Sequence, residues 1–82
     1  MTAHEMNIVY NSDHFYVVDY PVQEGVELVD KESGLGTFLR GESARNFRDS
    51  IQSVIADSPT EESVDEFLSG FESLLTQRVV YH

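Results

Sequence analysis

A chain of 82 residues holds one domain with a thin core, and its lack of cysteine removes disulfide staples, thiolate metal sites and a cysteine nucleophile together. Fifteen Asp and Glu against five Lys and Arg leave a formal charge of −10. No basic stripe is present to neutralise phosphates, so direct contact with nucleic acid or an anionic membrane is disfavoured. No apolar run approaches the ~20 residues that span a bilayer, and the N-terminus lacks a signal-peptide pattern, so the expected location is cytoplasmic.

Residues 1–5 carry no pattern and read as a loose extension; residues 6–82 read as a single α+β domain. Met6–Tyr10 alternates as a short strand, Asn11-Ser12-Asp13-His14 is a cluster of turn formers, and Phe15–Tyr20 is a second strand, apolar on both faces. Pro21 ends that strand because it cannot donate to a ladder. Val26–Asp30 and Leu35–Leu39 follow as third and fourth strands around the Lys31–Gly34 turn. Gly36 inside the fourth run suggests a bulge or a close backbone approach. These four runs predict an antiparallel β-meander.

After Gly41 the period changes from two to 3.6. Ala44, Phe47, Ile51, Val54 and Ile55 share one face of a helix expected over Glu42–Ala56. Ser58-Pro59-Thr60-Glu61 reads as a second helix start, with Ser58 as N-cap, Pro59 at the first position and Glu61 at the third. Val64, Phe67, Leu68, Phe71, Leu74 and Leu75 form its apolar stripe, and Glu61, Glu62, Asp65, Glu66 and Glu72 its acidic face. Both amphipathic helices are expected on one face of the sheet, and the β-branched tail Arg78–His82 as a possible edge strand. Phe15 and Val17 point away from Tyr16, Val18 and Tyr20, so one covered face cannot bury all five. Either the tail or a second copy covers the other face, or an apolar patch stays exposed; the expectation is a homodimer through a sheet face carrying Phe15, Val17, Val79 and Tyr81.

Residue chemistry gives no catalytic, cofactor or metal site. His4, His14 and His82 lack a pairing that places two imidazoles on one ion, and Asp13 beside His14 is a weak cation candidate. No serine lies in a GxSxG elbow, and Gly34-Leu35-Gly36 joins a turn to a strand rather than a strand to a helix. Tyr10, Tyr16, Tyr20 and Tyr81 lack the basic groove of a base-stacking surface and read as packing.

Met6-Asn7-Ile8-Val9-Tyr10-Asn11-Ser12, with Phe15-Tyr16-Val17-Val18 after it, Val64-Asp65-Glu66-Phe67-Leu68-Ser69-Gly70-Phe71 and the ending Thr76-Gln77-Arg78-Val79-Val80-Tyr81-His82 resemble a family of short bacterial proteins, found chiefly in β-proteobacteria and known as a domain of unknown function. The resemblance runs from Met6 to His82. It departs from the family in the residues before Met6 and in a short Pro21–Gly25 loop. It implies a free-standing cytoplasmic bacterial protein and brings no activity, cofactor or catalytic residue with it.

The functional expectation is a non-enzymatic interaction or regulatory protein whose acidic helix face, Glu61, Glu62, Asp65, Glu66 and Glu72, docks a basic protein partner. A version of it is mimicry of nucleic acid. The alternative is a small-ligand module with a pocket between sheet and helices near Tyr16, Tyr20 and Phe47.

Overall fold

The computed structural model describes residues 6–75 and 77–78. Strands β1 (Asn7–Asn11), β2 (Phe15–Tyr20), β3 (Gly25–Asp30) and β4 (Leu35–Arg40) form an antiparallel meander in the order of the chain, followed by helices α1 (Gly41–Asp57) and α2 (Glu61–Ser69). A short β5 (Gln77–Arg78) returns to pair antiparallel with β4 through Leu35 and Gly36. The expected α+β architecture is present; of the expected edge strand Arg78–His82 only Arg78 is among the described residues. Val79, Val80 and Tyr81 lie outside the described residues, as do His4 and His82.

Alternation along the strands decides which side chains meet the helices. Phe15 and Val17 of β2 stand opposite Asp30 and Leu28 of β3, and Val26 stands opposite Leu39 of β4. Phe15, Val17, Val26 and Leu28 join Ala44, Phe47 and Ile51 of α1 and Val64 and Leu68 of α2 in one buried cluster. Phe71 caps it edge-on against Phe47 and Phe67, with ring centroids 5.1 and 5.2 Å away. The bulge falls in β1 rather than at Gly36, which is regularly paired in β4. The register shifts between Ile8 and Tyr10, so Val9 and Tyr10 both pack toward the helices.

The second sheet face is the apolar side left over. It carries Tyr16, Val18 and Tyr20, not Phe15 and Val17. Val18 and Val29 are buried there, and the Tyr20 and Phe38 rings sit 5.9 Å apart. Phe38 lies across Gly25 so closely that a Cβ on Gly25 would stand 2.3 Å from its ring. Gly25 is thus fixed by contact. Gly41 is fixed by conformation instead: at φ +62° it turns β4 into α1 while its amide bonds to the Glu24 carbonyl at 3.1 Å.

Two helix boundaries differ from the expectation. Thr60, not Ser58, caps α2, its hydroxyl accepting from the Ser63 amide at 3.1 Å. The Ser58 amide is committed to the Val54 carbonyl and closes α1, which leaves Pro59 between the two helices. At the other end α2 stops at Ser69, where Gly70 turns the chain back toward β4. A 3₁₀ turn over Glu72–Leu74 then buries Leu75 and leaves Leu74 exposed.

Candidate binding cleft at the hairpin end

Three segments meet at one end of the sheet: the β1–β2 turn, the β3–β4 turn and the first two turns of α2. The β1–β2 turn is held by Ser12, whose hydroxyl oxygen accepts from the amides of His14 and Phe15, both at 3.1 Å. Lys31 secures the neighbouring turn to it, its ammonium donating to Asn11 Oδ1 and the Ser12 carbonyl and its amide to the His14 carbonyl at 2.9 Å.

Asp65 is the centre of the contact with α2. Its Oδ1 accepts from the Tyr10 hydroxyl and from the Ser12 hydroxyl, each at 2.9 Å, and its Oδ2 lies 2.9 Å from His14 Nδ1. The Tyr10 oxygen is also 3.2 Å from the Glu61 carbonyl, and the Asp13 amide points at Glu61 Oε2 at 3.4 Å. Partial burial pushes the Asp65 carboxyl up, but the bonds from His14, Tyr10 and Ser12 outweigh it and hold it below its usual value of 3.8. The bond to Asp65 raises His14 above its usual 6.5. Burial, with Asp65 nearby, raises Tyr10 to about 12.

A cleft of about 720 Å³ opens beside this junction. Phe15 lines it, and around it stand Asp30, Glu32, Glu61, Glu62, Asp65 and Glu66, with His14 as the one titratable base among the lining residues. Four of the five acids expected on the α2 face thus gather at one cavity, joined by Asp30 at the end of β3 and Glu32 in the β3–β4 turn. The side chain of Glu72 lies outside the described part of the chain. Asp65 differs from its neighbours: it is a half-buried tether between α2 and the hairpin, not a freely solvated docking acid.

Other expected site residues separate. Phe15 is 6% exposed and Val17 fully buried under the helices, so a dimer seated on those two side chains has no surface to use. Tyr16 and Tyr20 lie on the opposite face of the sheet from Phe47, which rules out a pocket lined by all three. A groove of about 250 Å³ does run between β1 and the helices, past Val9, Tyr10, Ile55, Pro59 and Val64. The sequence reading missed the Tyr10–Ser12–His14 set on Asp65. Its signal was present only as spacing: residues 10, 12 and 14 around a turn, and an acid one helical turn beyond Glu61.

The fold and cleft define a small α+β protein with an acidic cavity at its hairpin end. Residues 6–82 match the model of a family described as a protein of unknown function, DUF3567, and the chain belongs to that family. It is 40% identical over 85 residues to Protein BTH_I0359 of Burkholderia thailandensis, with 94% of this chain and 100% of that one covered. No solved structure matches the chain. Among the described residues no helix is long and apolar enough to cross a membrane. The YNSD turn and the DEFLSGF helix, two segments that carry the family resemblance, are the segments that meet at Asp65.

Proposed function

We propose that this protein is a non-enzymatic docking module whose acidic cleft receives a basic segment of a partner protein. The observation that carries the reading is the convergence of six carboxylates, from the end of β3, the β3–β4 turn and α2, on one cavity of about 720 Å³. A recess lined by one sign of charge focuses its field and raises the local concentration of the opposite charge. The head of an arginine or lysine entering the recess reaches the carboxylates that line it. The arrangement of the polar groups favours binding over catalysis. The Ser12 hydroxyl is occupied by Asp65 and two backbone amides, and the Ser58 and Ser63 hydroxyls by each other at 2.9 Å.

The test is the affinity of a fluorescent arginine-rich peptide for three proteins of controlled charge. Glu62→Gln with Glu66→Gln removes two acids from the cleft; Glu42→Gln with Asp49→Asn removes two exposed acids of α1 outside its lining. The cleft pair should weaken binding at least tenfold and flatten its salt dependence, while the α1 pair changes it little. Equal losses in both pairs would reduce the effect to net charge and end the reading.

The cavity volume also falls within the range of small-molecule sites. A second reading is therefore a small polycation in the same cleft, and spermidine displacing the labelled peptide at micromolar concentration would favour it.

A further inference from the structure

We propose that His14, Glu61 and Asp65 form a binding site for a divalent transition-metal cation at the wall of the cleft. Each offers one ligand atom, and the three atoms lie within 4.8 Å of one another. An ion with bonds of about 2.0–2.2 Å holds its ligand atoms roughly 3–3.5 Å apart, so small side-chain rotations close the set. The ligands come from two elements that are already clamped together. Glu61 and Asp65 lie four apart on one side of α2, and His14 comes from the β1–β2 turn.

Two features beyond the clustering of acids point to an ion. Both hydroxyls on Asp65 fall on Oδ1, which leaves Oδ2 turned to the imidazole and to the cavity. The far nitrogen of the ring, Nε2, faces Glu32 Oε2 at 3.9 Å. At 3.9 Å that carboxylate attracts charge on Nε2 without hydrogen-bonding it, and Nδ1 is the nitrogen that lies beside Asp65. In the metal-free protein His14 Nδ1 and Asp65 Oδ2 lie 2.9 Å apart, and the ion enters between them. Glu61 gives up only a 3.4 Å contact with the Asp13 amide to join. The cleft alongside leaves positions open for water or for a partner's donor atom. One imidazole nitrogen with two carboxylate oxygens suits zinc, manganese, cobalt or nickel better than calcium or magnesium. The inference does not depend on a basic segment entering the cleft, since it concerns a different ligand and is read with the metal alone.

The experiment is calorimetric titration of the chelator-treated full chain with ZnCl₂. The expected result is one ion per chain, at least a tenfold loss in His14→Gln and in Glu61→Gln, and undiminished binding when His4 and His82 are both alanine. Glu61 is exposed, so Glu61→Gln keeps the test decisive should the His14 variant fold poorly. Excess MgCl₂ should leave the zinc isotherm in place. Absence of binding, retention of it in both single variants, its loss with the terminal histidines, or displacement by magnesium would each overturn the proposal.

Discussion

The Tyr10 hydroxyl stands 2.9 Å from Asp65 Oδ1, joining β1 to α2 across 55 residues of chain. Apolar contacts hold the middle of the helical layer to the sheet, but at the hairpin end the attachment is polar and centres on this carboxylate, with Glu61 beside it. The same carboxylate also receives Ser12 and His14. The geometry of the cleft therefore depends on a junction that can be taken apart one atom at a time.

Removal of the Tyr10 hydroxyl alone should cost about 1.5 kcal/mol, the scale of a hydrogen bond to a charged group, in a Tyr10→Phe variant followed by urea unfolding. Asp65→Ala should cost more, because it strands three partners at once. Equal stability of the wild type and Tyr10→Phe would show that the bond contributes nothing.

The junction also fixes the direction of pH dependence in chelator-treated protein. His14 is raised in the folded state, so its contribution is full below about pH 6.5 and is lost as pH rises through the raised value. Asp65 is lowered, so its contribution is present above about pH 3.8 and is lost as pH falls through the depressed value. Stability should be greatest between these limits, and His14→Gln should flatten the alkaline limb of a melting-temperature profile while leaving the acid limb. A variant profile parallel to the wild type on the alkaline side would remove His14 from the account.

Gly25 has no room for a methyl group under Phe38. Gly25→Ala should destabilise by roughly 1–3 kcal/mol through overpacking, and the cost should shrink when Phe38 is also alanine. Additive losses in the double variant would mean that the ring is not what excludes the Cβ.

The cap of α2 gives a sharper contrast. Thr60→Ala should cost about 1 kcal/mol and Ser58→Ala less, since only the Thr60 hydroxyl receives a helix amide. The reverse order in thermal unfolding would restore the boundary expected from the sequence alone.

That boundary shows where the sequence was legible. Alternation in Phe15–Tyr20 was enough to separate Phe15 and Val17 from Tyr16, Val18 and Tyr20, because the period of a strand is local. Which set faces the helices was not, since both are apolar and only the path of the chain after Gly41 decides it. Ser58 and Thr60 both satisfy the local rules for a cap. The choice was made by the end of α1, which claims the Ser58 amide. The end of α2 followed from a nonlocal demand too: the apolar stripe continues to Leu75, but the chain must turn at Gly70 for Gln77 to reach Gly36.

The candidate site divides in the same way. Glu61, Glu62, Asp65 and Glu66 were readable as one helix face from their spacing. Asp30 and Glu32 were not attached to that face by any local pattern, and neither were Tyr10, Ser12 and His14. They meet it because a meander returns the β1–β2 and β3–β4 turns to the same end of the sheet, where α2 begins. A half-buried acid with three donors and an exposed acid look identical in a sequence, which is why Asp65 read as one more solvated carboxylate.

The most direct test of the cleft as a docking site is an amide-resolved NMR titration of the full chain with an arginine-rich peptide. The account predicts saturable shifts concentrated in residues 12–15, 30–33 and 61–69, with the amides around Glu42, Asp49 and Asp57 nearly still. Shifts of equal size along the exposed acids of α1, or none at the cleft, would contradict it.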